Sequence, residues 1–540
     1  MHLEITGKIH VDQVGYRPDD KKIAVICGSE GRFELVDEKS GEVVFKGETT
    51  ELVSDGLSGD RVSYADFSSV KKQGRYYLAL SGIGKSYSFD IGKEVYRDVK
   101  NAMLKALYYQ RCGIQLDEKF AGDWKHKSCH IQDGFVYPSK VQKLDGCGGW
   151  HDAGDYGKYT VPGAVAVAHL LLAYEFFPEA FREEINIPES GNGMPDILNE
   201  CKYELDWLFK MQDHSGGTYH KLTTCKFPGF IMPEEDIADL HFTPVSSTAT
   251  GDFAAVMAMA ARIYKNYDAE YANRCLTAAV KAWEWLQQNT ELTGTKNPEG
   301  IETGEYVDLS DSDERFWAAS ELYRTTGNTK YLEHINSAYK SGDKNFFSLG
   351  WENVAGLGVI AYLFGNEPKA DNALYTAMKT DFIEYADELL GRVDTDGYGI
   401  SLLENDYLWG SNMIVMMNAM HLIMAHLLVG EDKYITAAQG HLHYLLGRNT
   451  LDYCYVTGFG SKKVMHPHHR PSAADGVKEP VPGMVAGGPD KHLHDEIARA
   501  QLKGLAPAKC FIDHVDSYST NEITIYWNSP AVFVAAYFDR

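Results

Sequence analysis

Two carboxylates stand three residues apart in Gly148-Gly149-Trp150-His151-Asp152-Ala153-Gly154-Asp155-Tyr156, with small residues between them and an aromatic on either side. In a tight loop both can turn toward one point, where like charges disfavour double ionisation and leave one group ready to take a proton. The loop enters a helical pattern near Tyr156, so an Asp here serves equally well as a helix cap. A third carboxylate, Glu522, follows Asp516-Ser517-Tyr518-Ser519-Thr520-Asn521 and precedes an apolar helix with Tyr526, Trp527 and Asn528. At a helix start it is either an acid for chemistry or a complement to the helix dipole. Met465-His466-Pro467-His468-His469-Arg470 packs three His and an Arg into a proline-kinked loop, able to bind a metal or to donate hydrogen bonds to a sugar.

Two further sets are candidates for metal ions. Cys112, Cys129-His130 and His151 offer two thiolates and two imidazoles, a soft tetrahedral set suited to zinc. Their spacing is irregular, which is also how scattered buried Cys and His look. The acidic run Asp308-Leu309-Ser310-Asp311-Ser312-Asp313-Glu314 lies just before a helix. It reads as a solvated N-terminus or as the closely spaced oxygen ligands that calcium takes.

These residues need a scaffold, and 540 residues exceed one ordinary core, closed barrels being the usual exception. Residues 1–92 read as β. Phe33-Glu34-Leu35-Val36-Asp37 leads through Ser40-Gly41 into Val43-Val44-Phe45 as a hairpin, residues 76–80 form an apolar run, and Tyr87, Phe89 and Ile91 alternate with polar neighbours. A small immunoglobulin-type sandwich is the expectation. From residue 96 the period becomes helical. Phe253, Val256, Met257, Ala260 and Tyr264 make one stripe; Leu276, Ala279, Val280, Trp283 and Leu286 make another, with Asn273 near its start. Further helices are expected over 161–177, 197–211, 316–326, 370–390 and 413–428, with almost no strand pattern in this part. Helix pairs without a short repeat suggest a closed helical barrel rather than a solenoid. Met413, Met416, Met417 and Met420 read as core packing. The loop 459–490 is where function is expected on such a scaffold.

A formal net charge of −24 argues against nucleic acid and anionic lipid as partners. No uninterrupted apolar run approaches the ~18–20 residues of a membrane span. Met1-His2-Leu3-Glu4-Ile5-Thr6 has no basic region ahead of an apolar core, so a cytoplasmic protein is expected, or a secreted one whose signal has been removed. Nine cysteines without disulfide spacing fit a reducing compartment.

Taken together, the Asp152–Asp155 loop, the His-Pro-His-His-Arg loop and Asn521-Glu522 resemble, in order and separation, the three signature regions of glycoside hydrolase family 9. The resemblance runs over essentially the whole chain. Asp12-Gln13-Val14-Gly15-Tyr16 and Tyr64-Ala65-Asp66-Phe67-Ser68 resemble the immunoglobulin-like module ahead of many such catalytic domains. It implies a mainly α fold, an (α/α)6 barrel over 93–540 preceded by an all-β immunoglobulin-like sandwich over 1–92. It implies Asp155 as the general base activating water, Asp152 holding that water or tuning Asp155, and Glu522 as the general acid. His468 and Arg470 would bind the sugar at the cleavage point and Trp409 would stack on a ring, with Tyr306 and Tyr518 as further candidates of that kind. An inverting hydrolase needs its two carboxyls roughly 6.5–9.5 Å apart, leaving room for water.

The four Cys and His positions all match a structural zinc site of the subgroup that carries the module. Asp313-Glu314 resembles a structural calcium position, with Asp308 of the same acidic run as a further candidate ligand, although Glu352-Asn353 stands where an aspartate is expected. The implied activity is that of an endo-β-1,4-glucanase on β-glucan or oligosaccharide. The alternatives are an exo-acting β-glucosidase or exo-β-glucosaminidase on short oligosaccharides, and a carbohydrate-binding protein without catalysis. No oligomeric state follows from the sequence.

Overall fold

The computed structural model describes residues 4–365 and 372–540. Met1, His2 and Leu3 of the N-terminal reading, and Ala370 and Asp371 of the helix expected from residue 370, lie outside the described residues. The chain forms two compact units: Leu107–Tyr385 with Ala474–Val477, and Met1–Ala106 with Ala386–Ala473 and Lys478–Arg540.

The unit holding both termini begins as a β-sandwich. One sheet orders Ile9–His10, Ile23–Cys27, Arg61–Asp66 and Val53–Ser54. The other orders Gly15–Tyr16, Phe89–Ile91, Gly74–Leu80, Arg32–Asp37 and Val43–Glu48, with Gly84–Lys85 paired to Gly74–Leu80. The expected hairpin is present, Leu35 facing Phe45 in antiparallel register. Ile9, Ile26, Phe33, Leu35, Phe67, Leu78 and Phe89 fill the space between the sheets, each contributing about 2 kcal/mol by burial.

The segment from Asp12 to Tyr16 fastens this sandwich to helical residues of the same unit. Asp12 Oδ1 accepts from the N–H groups of Val14 and Gly15, while Oδ2 meets His443 Nδ1 at 2.8 Å. Gln13 donates to the Asp452 carbonyl and accepts from the N–H groups of Ser461 and Lys462. Gly15 has φ +146°, and a Cβ there would fall 2.1 Å from the Asp90 carbonyl oxygen, so only glycine fits.

After the sandwich, helices dominate. Thr160–Phe176, Ser247–Tyr264, Ala355–Leu363, Ser411–Val429 and Ile525–Phe538 are buried nearly all round. Asp196–Met211 and Ala269–Gln288 instead bury one stripe, as helices with a wet face do. In the unit built on Leu107–Tyr385, Ser247–Tyr264 packs against Thr160–Phe176, Ala269–Gln288 and Ser312–Thr326. In the other unit Ser411–Val429 packs against Asp432–Leu445 and Ile525–Phe538, burying all four methionines of its stripe. Ser411–Val429 is long and apolar enough by composition to cross a membrane, but two thirds of it is buried in the fold and Asn412, Asn418 and His421 interrupt it.

Two expectations need correction. The second striped helix begins at Ala269, well ahead of Asn273, because the Asp268 side chain caps it by accepting from the Tyr271 N–H. Strands also occur after residue 95: one sheet orders Lys143–Leu144, Gly134–Val136, His241–Phe242, Lys221–Thr223 and Lys158–Tyr159. Two or three residues per strand are too few to print a period-two pattern.

Candidate active site

Residues expected to do chemistry lie just ahead of helices: Asp152 and Asp155 before Thr160–Phe176, Tyr306 before Ser312–Thr326, Trp409 before Ser411–Val429, and Glu522 before Ile525–Phe538. Asp152 and Asp155 are only 2% and 6% exposed. Neither caps the helix, which starts at Thr160 with Tyr159 in the cap position and no capping side chain. Instead the Asp152 N–H donates to the Gly157 carbonyl at 2.9 Å, and Asp155 Oδ2 accepts from the Gly157 N–H at 2.9 Å. Tyr306, at φ +46°, donates its phenol to Asp152 Oδ2. The Tyr306 ring stands edge-on to Tyr159 and to Trp351, each at 4.9 Å. Trp351 was not singled out in the sequence, where nothing in its spacing marks it.

This turn is held from behind. The Trp150 backbone N–H donates to Glu204 at 2.6 Å and its indole N–H to Glu200 at 2.8 Å. Arg111 forks onto Glu200 and Glu189. The Gln110 amide spans the carbonyls of His151 and Ala153. Burial pushes the Glu204 carboxyl up to about 8. Breaking one partner of such a buried network costs about 3–5 kcal/mol.

The half-buried Glu522 is presented differently. Its carbonyl accepts from the Gly487 N–H at 2.9 Å, and the His468 N–H donates to the neighbouring Asn521 carbonyl at 2.8 Å, aligning His468 with Glu522. The Trp409 indole N–H donates to Glu522 Oε2 at 3.1 Å, and the ring is 40% exposed and 5.0 Å from Tyr518. Such a pair of rings beside a carboxylate forms a platform for the apolar face of a ligand. His468 Nδ1 lies 2.6 Å from the Val515 carbonyl, and burial lowers its pKa and favours the neutral ring. Arg470 opens the short helix Arg470–Ala474 and is 8% exposed. The structure thus groups Trp409, His468, Tyr518 and Glu522 in one unit, and Asp152, Asp155 and Tyr306 in the other. His466, His468 and His469 form no grouping able to hold an ion among the described residues.

Cys112, Cys129, His130 and His151 are all buried, and their donor atoms lie within 4.8 Å of one another. A tetrahedral ion with bonds of roughly 2.0–2.3 Å requires such a cluster. His130 takes φ +47°, its Nδ1 is buried without a hydrogen-bond partner, and its Nε2 meets Asp236 Oδ2 at 3.3 Å. One nitrogen free and the other on a carboxylate is how metal-bound imidazoles are held, so these residues fit the ion. Sequence reasoning missed Asp236, which only the fold brings to His130. His151 adjoins Asp152, so the cluster borders the turn that carries the carboxylates.

The acidic run is joined by Asp252, from Ser247–Tyr264, also missed in the sequence. Both oxygens of Asp252 and of Glu314, and Asp308 Oδ2, are buried without a hydrogen-bond partner. Gly251 lets the two helices meet, since a Cβ there would fall 2.6 Å from that of Glu314. Burial pushes Asp252 and Glu314 well above the usual carboxylate range and Asp308 up to about 6. Carboxylates so placed need protons or a cation. Asp313 accepts from the Val354 N–H, whereas Asp311 pairs with Arg315 and Asn353 accepts from the Ala355 N–H.

A family model for glycosyl hydrolase family 9 matches residues 96–535, and one for the cellulase N-terminal ig-like domain matches residues 4–85. The cellodextrinase of Butyrivibrio fibrisolvens is 42% identical over 97% of this chain and 98% of its own. The solved structure of a thermostable endoglucanase from Alicyclobacillus acidocaldarius matches with a TM-score of 0.93 at 40% identity, covering 99% of this chain and 100% of that one. A Zn-binding triple mutant of the family 9 endoglucanase J30 matches with a TM-score of 0.92 at 35% identity, covering 97% and 99% of the two chains. The shared fold is mainly α, an (α/α)6 barrel preceded by a small β-sandwich.

Proposed function

This chain belongs to glycosyl hydrolase family 9 and is a glycoside hydrolase of cellulase type, and from that premise we propose that it hydrolyses β-1,4-glucosidic bonds in cellulose-type chains and cello-oligosaccharides with inversion. Asp155 is the general base: it takes a proton from water as that water attacks the anomeric carbon. Glu522 is the general acid, giving its proton to the departing glycosidic oxygen. Asp152, steadied by Tyr306, orients the water, and Trp409, Tyr518, His468 and Arg470 bind sugar. The observation that carries this reading is the Asp152–Asp155 turn, two nearly buried carboxylates fixed by the Gly157 backbone and the Tyr306 phenol.

The module occupies residues 1–92 and the catalytic domain 93–540. The Cys and His cluster holds structural zinc, supported by its donor set and by the likeness to a triple mutant of endoglucanase J30 that binds zinc; Asp252, Asp308, Asp313 and Glu314 hold structural calcium, supported by the orphaned oxygens of Asp252, Asp308 and Glu314. Each ion would supply cross-linking and charge compensation. The cellodextrinase relative favours a second reading, preference for short soluble chains over polymer. Turnover of cellopentaose and carboxymethylcellulose by wild type, Asp155→Asn and Glu522→Gln tests the assignment: both variants are expected to lose activity on cellopentaose, and wild-type turnover in either would remove that residue from its role.

A further inference from the structure

Lys221 is a lysine with no exposed surface, on the strand Lys221–Thr223 paired antiparallel with Lys158–Tyr159 so that Lys221 faces Tyr159. Its ammonium donates to the Thr303 hydroxyl at 3.0 Å and to the Gly304 carbonyl at 2.5 Å, and lies 5.4 Å from the centre of the Tyr159 ring. The Tyr159 phenol reaches toward Asp155 Oδ2 at 3.5 Å. Two residues beyond Gly304, Tyr306 holds its strained φ of +46° and donates to Asp152. The preceding His220 fixes the same loop, its Nε2 2.9 Å from the Glu305 carbonyl. Strand and loop therefore form one clamp around both carboxylates.

A buried ammonium is costly unless something requires its charge. Burial pulls Lys221 down to about 8, with the charge of Asp155 foremost among the groups that oppose the fall and Glu305 second. The other titratable group facing it is Tyr159, from the paired strand. Lys158 points away, onto the carbonyls of Gly146 and Gly148.

We propose that Lys221 is a positioning residue for the base: it pins the Thr303–Gly304 segment so that Tyr306 reaches Asp152, and it supplies the positive charge that keeps Asp155 ionised. This rests on Asp155 being the base. The test is the pH profile of kcat/KM on cellopentaose for Lys221→Met, Lys221→Arg and Asp155→Asn, with melting curves and metal content measured alongside. Loss of a facing cation raises a carboxyl's pKa, so Lys221→Met should move the acid limb up by about one pH unit and lower kcat/KM about tenfold at pH values on the acid side of that limb. Lys221→Arg, which keeps the charge, should leave the limb in place. An unmoved limb in folded Lys221→Met, beside an inactive Asp155→Asn, overturns the role of Lys221 alone. Activity in Asp155→Asn overturns the underlying reading. Should Lys221→Met fail to fold, Lys221→Gln, neutral but still a donor to Gly304, gives the same comparison.

Discussion

Asp155 sits in a turn held from several sides: Gly157 N–H on its carboxylate, Trp207 behind Gly149, the Arg111–Glu200 pair behind Trp150, and the Cys and His cluster at the preceding His151. Glu522 is half-buried, held by backbone bonds to a loop and by one indole N–H from a Trp that is 40% exposed. The contrast is the one that the two proposed jobs require. A base must keep a charged carboxylate at a fixed point for water, so rigidity and nearby positive charge serve it. An acid must hold a proton and meet a leaving oxygen on a chain that slides in and out, so aromatic, accessible surroundings serve it.

The largest expected effects come from the carboxyls. Asp155→Asn and Glu522→Gln should each lower kcat on cellopentaose by about 10³-fold, but they should part company on an aryl β-cellobioside with a good leaving group. There Glu522→Gln recovers most of its turnover, because the departing phenolate needs no proton, while Asp155→Asn does not. Equal recovery would erase the distinction between the two regions.

Next in size is the anchoring of the base turn. Cys129→Ser should lower unfolding free energy by about 3 kcal/mol and remove the metal found by elemental analysis. Tyr518→Ala, in the acid region, should lower the melting temperature far less. A melting curve unchanged in Cys129→Ser would show that the cluster does not anchor the turn.

Smaller again is Trp409→Ala, which removes the platform and the bond to Glu522. KM for cellopentaose should rise about tenfold, with the melting temperature nearly unchanged. A KM that stays put would take the platform away from the acid region. The smallest effect is Asp236→Asn. Weakening the carboxylate partner of His130 should loosen metal about tenfold in a chelator competition while kcat of the loaded enzyme holds. Unchanged competition would mean that Asp236 does not orient the imidazole.

What was legible in the sequence tracks how locally each feature is encoded. Asp152 and Asp155 stand in a glycine-rich segment and Glu522 in a polar one, each ahead of an apolar helix, and the hairpin at Leu35 and Phe45 has its turn between them. The reading of one Asp of this turn as a helix cap failed because the helix begins at Thr160, after a two-residue strand too short to leave a pattern. The Cys and His cluster was visible through family resemblance, since its spacing alone is shared by unrelated buried residues. Asp236, Asp252, Trp351 and Lys221 carried no signal. Each is a single polar or aromatic residue in an ordinary stretch, and its meaning depends on a partner brought from far along the chain, as Asp236 is to His130 and Lys221 is to Gly304.

Proton NMR of the products in the first minutes of cellopentaose hydrolysis, before mutarotation, tests the division of labour between Asp155 and Glu522 most directly. The expected result is α-anomer at the newly made reducing end, formed by water attacking opposite the leaving oxygen. β-Anomer appearing first would mean retention through a covalent intermediate, and Asp155 could not then be the base that activates water.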